Sequence, residues 1–326
     1  MRAADALVHR PVMVDEMIEA LDPAAGEVFV DGTYGGGGHS HALLGAAACV
    51  VWGIDRDPAA VARGRAAEEA SKGRLRVIEG AFGDMEALMT QHGVHRVDGI
   101  ALDLGLSSLQ LDDPERGFSF QNDGPLDMRM TQAGPTAAEL VNTVPEAELA
   151  DIIHRFGEER GARRIARAIV RARDRAPIRR TGELARIVAA TARGARGTVH
   201  PATRTFQAIR IWVNNELGEE GELGRGLVAA ERLLRPGGRV AVISFHSLED
   251  RQVKRFLNRR AGATPRPTRH LPIAGSQAQA PSFRLIARRV RKPKQHEITA
   301  NRRARSARLR AAVRTDASPW PAAEAA

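Results

Sequence analysis

Val28-Phe29-Val30-Asp31-Gly32-Thr33-Tyr34-Gly35-Gly36-Gly37-Gly38-His39-Ser40 is a short apolar run ending in an acid, followed by four successive glycines. The three β-forming residues predict a strand, and the alanines and leucines after Ser40 predict a helix. Glycine fits where the backbone must take a positive φ or approach a ligand with no Cβ between them. A strand, a glycine turn and a helix start present free N–H groups to a bound cofactor. An acidic partner is expected about 20 residues further on. Val50-Val51-Trp52-Gly53-Ile54 reads as a second strand, and Asp55 ends it. A carboxylate there can accept both hydroxyls of an adenosine ribose.

Outward from this stretch, strands and helices alternate. Val14, Met17, Ile18 and Leu21 fall at helical spacing. Asp57-Pro58 starts a helix with proline at its first position, running to about Ser71. Leu75–Glu79 is a third strand, Phe82 precedes a short helix near Met85 to Met89, and Val97–Asp103 is a fourth strand. Such alternation predicts an α/β fold with a doubly wound, mostly parallel sheet. Ligands bind such sheets beyond the carboxyl ends of the strands, where Asp31, Asp55, Phe82 and Asp103 fall.

The alternation stops after Leu111. Leu149, Ile152, Ile153 and Phe156 share a helical face, as do Ile165, Ala168 and Ile169, so an all-helical domain is expected over 112–217. The sheet domain then comprises 1–111 and 218–314, followed by a disordered tail over 315–326. Arg235-Pro236-Gly237-Gly238 reads as a turn before the strand Arg239–Phe245. Residues 261–282 read as a mobile loop, with later strands over Phe283–Val290 and Ala307–Val313.

At 326 residues the chain can bury a sizeable core, and 43% hydrophobic content is ordinary for a globular protein. It has no apolar run of the length that spans a membrane, and its first residues do not resemble a secretory signal. A single cysteine, Cys49, excludes an intramolecular disulfide and predicts a cytoplasmic setting. The net charge of +10 points either to a polyanionic partner or to an arginine-rich solvated surface. His39 and His41 lie close together, but no cysteine or carboxylate set completes a zinc site, so no metal is expected.

Two cofactor classes fit the glycine turn with Asp55: a dinucleotide or S-adenosylmethionine. In a G-x-G-x-x-G fingerprint the third position would be Ser40 or His41, which weakens the dinucleotide reading. Several segments also match a known family in one order. The glycine stretch is followed by Leu102-Asp103-Leu104-Gly105-Leu106-Ser107-Ser108-Leu109-Gln110-Leu111-Asp112-Asp113 and Arg116-Gly117-Phe118-Ser119-Phe120. Then come Asp123-Gly124-Pro125-Leu126-Asp127-Met128-Arg129-Met130, His200-Pro201-Ala202-Thr203-Arg204-Thr205-Phe206-Gln207 and Ile243-Ser244-Phe245-His246-Ser247-Leu248-Glu249-Asp250. Over nearly its whole length the chain resembles the bacterial small-subunit ribosomal RNA methyltransferase H (MraW) family, which methylates the exocyclic N4 of a cytidine.

The resemblance implies a class I S-adenosylmethionine-dependent fold. It implies Gly37, Gly38 and His39 at the methionine end of the cofactor, Asp55 at the ribose and Phe82 at the adenine. Asp103 and Gln110 would close the pocket. It also implies a small-subunit ribosomal RNA substrate within the assembled subunit, and is compatible with a homodimer. Leu109, where the family usually has proline, and Arg302, after Asn301, depart from the pattern.

The cytosine N4 amine is a poor nucleophile because its lone pair is delocalised into the ring, so the site needs an acceptor to localise it. Asp103 is the first candidate, with Ser107 and Ser108 in the adjoining wall; the alternative is a strand-end cap. His246, after the late strand, either contacts the target nucleotide or is a structural histidine. Phe118 and Phe120 either grip the base or pack in the core. Methylation at cytosine C5 is excluded because it needs a reactive thiolate, and Cys49 has apolar neighbours. Arg160, Arg163, Arg164, Arg167, Arg171, Arg173 and Arg175 are candidates to neutralise phosphates, with some of them expected to pair with Glu158, Glu159 and Asp174 instead. Lys254, Arg255, Arg259, Arg260, Arg302, Arg303, Arg305, Arg308 and Arg310 are candidates for phosphate as well. A non-catalytic ribosome-assembly factor that keeps the fold for RNA binding is the second reading, and an NAD-binding oxidoreductase the third.

Overall fold

The computed structural model describes residues 11–191, 200–263 and 279–321. The chain divides into two compact units, one formed by Met1–Gly105 with Gly218–Ala326 and the other by Leu106–Leu217.

The first unit is built on α1 (Val14–Leu21), β1 (Val28–Asp31), α2 (Gly38–Ala46), β2 (Val50–Asp55), α3 (Pro58–Ala70), β3 (Leu75–Glu79), α4 (Met85–Gln91) and β4 (Val97–Asp103). The chain returns to it after the helical unit. Its seven strands lie in the order β3-β2-β1-β4-β5-β7-β6, where β5 is Leu234–Ser244, β6 Phe283–Leu285 and β7 Arg308–Arg314. The first five strands are parallel, whereas β7 runs antiparallel to both β5 and β6. The near-continuous burial of β1, β2 and β4 is what helices on both faces of a parallel sheet require. Phe29, Leu43, Val51, Ile54, Ile100 and Leu102 are fully buried there. Asp57 caps α3 by accepting the Ala59 N–H at 3.0 Å, with Pro58 at the first helical position.

Four details differ from the sequence reading. Arg235–Gly238 is a bulge within β5: Leu234 pairs with Val97 and Arg239 with Gly99, so four residues oppose Asp98 alone. The strand expected over Phe283–Val290 stops at Leu285. The expected tail is ordered at its start, because Trp320 anchors it. The Trp320 indole N–H donates to the Ala280 carbonyl at 2.9 Å, and the ring centroid lies 4.6 Å from the Arg260 guanidinium. Residues 322–326 of that tail, and 264–278 of the expected mobile loop, lie outside the described residues.

The fourth concerns the domain boundary. The second unit starts at Leu106, not at residue 112, because Ser107 opens a helix directly after Gly105. It contains α5 (Ser108–Asp112), α6 (Ala137–Thr143), α7 (Glu146–Gly157), α8 (Ala162–Arg173), α9 (Thr181–Thr191) and α10 (Thr203–Val213). The faces expected on α7 and α8 are buried together through Leu149, Ile153, Ile165 and Ile169. After this unit the chain re-enters the first one through α11 (Glu222–Leu233), and later α12 (Ser247–Arg260) and α13 (Gln295–Ala300).

Candidate active site

The parallel register sets Asp31 opposite Gly53 on β2 and opposite Ala101 on β4, which gathers three acidic strand ends. Asp31, Asp55 and Asp103 therefore stand around the glycine turn. Asp31 is 1% exposed and accepts the Ser40 hydroxyl at 2.7 Å and the Thr33 N–H at 3.2 Å. Burial nevertheless raises its carboxyl above the usual range.

The turn itself is tied to β2. The Tyr34 N–H donates to the Ile54 carbonyl at 3.0 Å, and the Gly35 N–H donates to Asp55 Oδ2 at 2.7 Å. Gly37 precedes α2 at φ +76°, and a Cβ there would lie 2.6 Å from the Tyr34 hydroxyl, so only glycine fits. Asp55 Oδ1 accepts the Asp57 N–H at 2.8 Å. A carboxylate offers about four lone-pair positions, so two remain for hydroxyl donors. Burial pushes the Asp55 carboxyl up to about 6, against the pull of those two N–H groups.

His39, 4% exposed in the first turn of α2, brings Nε2 to 3.3 Å from Asp103 Oδ2. The Asp103 N–H donates to the Thr33 hydroxyl at 2.6 Å, which fixes the strand end. Among the described residues, Asp103 Oδ1 and both ring nitrogens of His39 are buried with no hydrogen-bond partner, the Nε2–Oδ2 approach being an ion-pair contact. Orphaned polar atoms of this kind cost about 1–3 kcal/mol each, so a buried group of them marks a place made for a ligand. A ring nitrogen suits the methionine end of S-adenosylmethionine, Asp55 suits its ribose, and the unengaged carboxylate oxygen of Asp103 suits an amine donor.

Phe82 is placed by a residue that the sequence did not single out. Its N–H donates to Glu222 Oε1 at 3.1 Å, and Glu222, 5% exposed at the start of α11, also pairs with Arg56. The Phe82 ring packs over Gly226 of α11, where a Cβ would lie 2.5 Å from the ring edge. Thr33 and Ser40 lie inside the glycine stretch, yet their roles emerge only from the fold. Glu222 carries no signal in local spacing, since 140 residues separate it from Phe82.

The remaining site candidates have local duties of their own. Ser107, Ser108 and Gln110 belong to the helical unit. Ser107 and Gln110 form a capping box: the Gln110 N–H donates to Ser107 Oγ at 3.2 Å, and the Ser107 N–H to Gln110 Oε1 at 3.1 Å. Phe118 is buried in the helical core, while Phe120 packs against His200 at 4.6 Å and Phe206 at 4.8 Å. His246 caps α12 and lies 2.9 Å from Glu249 Oε1.

Several arginines expected to face phosphate are engaged internally. Arg260 is buried against Glu231 at 2.7 Å. Arg308 and Arg310 hold Asp250 at 2.9 and 2.7 Å. Arg173 donates to the Val141 and Val144 carbonyls. Arg163, Arg164 and Arg171 are exposed on α8, as is Arg167, which faces Glu146 at 3.5 Å.

A mostly parallel sheet of this order, with an acid after β2 and a glycine turn after β1, belongs to the S-adenosylmethionine-dependent methyltransferases. The model of the MraW methylase family matches residues 6–315, and the chain belongs to that family. It is 58% identical over 312 residues to the ribosomal RNA small subunit methyltransferase H of Paramagnetospirillum magneticum, covering 96% of this chain and 97% of that one. Its identity to the protein of the same name from Rhodospirillum centenum is 60% over 310 residues, covering 95% and 93%. With that of a Methylobacterium species it is 56% over 319 residues, covering 97% and 94%.

Proposed function

We propose that this protein transfers the methyl group of S-adenosylmethionine to the exocyclic N4 of a cytidine in small-subunit ribosomal RNA, in the cytoplasm. The observation that carries the reading is the buried, unpartnered Oδ1 of Asp103 in a chain of this family. The names of the relatives support ribosomal RNA as the substrate. When bound, the cofactor supplies a sulfonium-activated methyl group, so the protein must mainly position and polarise the nucleophile. Asp103 accepts a hydrogen bond from the N4 amine and draws the lone pair out of the ring. Thr33 holds the Asp103 main chain during that step. Gly37, Gly38 and His39 receive the methionine end, Asp55 the ribose and Phe82 the adenine. In the same reading Gln110 belongs with Asp103 among the cofactor residues, and Ser107, Ser108 and His246 belong with the target nucleotide. The family resemblance supports the assembled subunit as the substrate and is compatible with a homodimer.

Mapping the modified nucleosides of ribosomal RNA from cells with and without the protein tests the reaction. The expected result is loss of N4 methylation at one cytidine. An unchanged set of modified nucleosides would favour the non-catalytic assembly factor.

The exposed arginines of α8 supply the phosphate contacts in this reading. Replacing Arg163, Arg167 and Arg171 by alanine is expected to weaken RNA binding. The dependence of log K on log salt should flatten by about 0.7–0.9 per lost contact. Replacing Arg308 should flatten it much less, because that guanidinium is held by Asp250. Equal slopes for the triple variant and the wild type would return the α8 arginines to the role of solvated surface.

A further inference from the structure

His39 is an unusual residue for its position. A cation in the first turn of a helix opposes the helix dipole, and burial opposes it again. Its ring is 4% exposed in the first turn of α2. Three carboxylates face it from other elements: Asp31 at the end of β1, Asp103 at the end of β4 and Glu297 on α13. Two of them have other partners. Asp31 is engaged by Ser40 and Thr33, and Glu297 Oε1 accepts the Met13 N–H at 2.6 Å. Among the described residues, Asp103 alone brings a carboxylate oxygen within ion-pair distance of the ring, at 3.3 Å.

We propose that His39 is the positioning residue for Asp103: the imidazole holds Oδ2, and thereby aims the unpartnered Oδ1 at the amine to be methylated. The Asp103 main chain is already fixed by its N–H bond to Thr33. The carboxylate then keeps only its side-chain torsions, and a contact at Oδ2 settles the direction of Oδ1. Burial disfavours the charged ring, but Asp103, then Asp31 and Glu297, outweigh it and raise the His39 pKa above its ordinary value. The clamp is therefore closed below that raised value and opens as pH rises through it. The inference rests on the reading of Asp103 as the acceptor, and goes beyond a contact between His39 and the cofactor.

The test has one arm without cofactor and one with it. In the cofactor-free full-length protein, the His39 ring is titrated by NMR in the wild type and in Asp103→Asn. Loss of an opposite charge within contact distance is expected to lower the His39 midpoint by about 1–3 pH units. In single-turnover methylation, the wild type should lose rate on the alkaline side. His39→Gln keeps an N–H donor but cannot titrate, so its rate should fall about tenfold at neutral pH and that alkaline limb should vanish. His39→Ala should lose about 100-fold, with partial recovery in the glutamine variant. A His39 midpoint that is the same in Asp103→Asn, or an alkaline limb that survives in His39→Gln, overturns the proposal. The NMR arm needs neither RNA nor methyl transfer, so it can fail while the proposed reaction stands. An unchanged nucleoside map would instead remove the reaction and leave the pairing intact.

Discussion

Asp103→Asn is expected to slow single-turnover methylation by about 10²–10³-fold, the usual loss when one well-placed electrostatic group is removed. S-adenosylmethionine affinity should change much less. The asymmetry follows from the two carboxylate oxygens. Oδ2 lies 3.3 Å from His39, whereas Oδ1 has no partner among the described residues. An asparagine will turn its single oxygen toward the imidazole, which offers an N–H, and so present its NH₂ to the substrate. The N4 amine then meets a donor where it needs an acceptor, and its lone pair stays delocalised into the ring. The main-chain anchor at Thr33 is untouched by the substitution, so the strand end and the glycine turn should persist. Rapid-quench measurement of one turnover, with calorimetry of cofactor binding on the same sample, separates the two effects. A rate within a few-fold of wild type would make Asp103 a strand-end cap, and the acceptor would then be sought among backbone carbonyls or near His246.

Legibility in the sequence followed the range of the interactions involved. β1, β2, β3 and β4 were readable because apolar runs ending in an acid are local patterns, and Asp31, Asp55 and Asp103 follow from them. The Asp57-Pro58 start of α3 was readable for the same reason. Glu222 was not, since its value lies in reaching Arg56 and Phe82 across the fold. Nor could charge alone sort the arginines: Arg310 and Arg163 look alike in sequence, yet one is committed to Asp250 and the other is exposed. The bulge at Arg235–Gly238 looked like a turn because proline and glycine mark both, and only strand register separates them. Trp320 was the single apolar signal in an alanine- and proline-rich end, and it is the residue that orders that end.

The second large effect is expected at Asp55, where cofactor affinity and pH are coupled. Asp55→Ala removes a charged acceptor for the ribose hydroxyls, worth about 1.5–3 kcal/mol, or roughly 10- to 150-fold in Kd. It also leaves the Gly35 and Asp57 N–H groups without their acceptor, which loosens the turn that receives the methionine end. The pH dependence has a definite sign. Burial raises the Asp55 carboxyl to about 6, above the roughly 3.9 of an unfolded chain. Between those values the cofactor-free fold binds a proton that the unfolded chain has released. The Asp55 contribution to stability is thus fully present below about 4, and is lost as pH rises through about 6. Cofactor binding runs the other way, because ribose hydroxyls donate to the anion. The S-adenosylmethionine Kd should be flat above about pH 7 and rise toward tenfold per pH unit below about 6. Asp55→Asn cannot titrate, so this Asp55-dependent slope should disappear even as affinity falls. Calorimetry from pH 5 to 8 on both proteins decides it: parallel curves would place the proton on another group, with Asp31, whose carboxyl burial also raises, the first candidate.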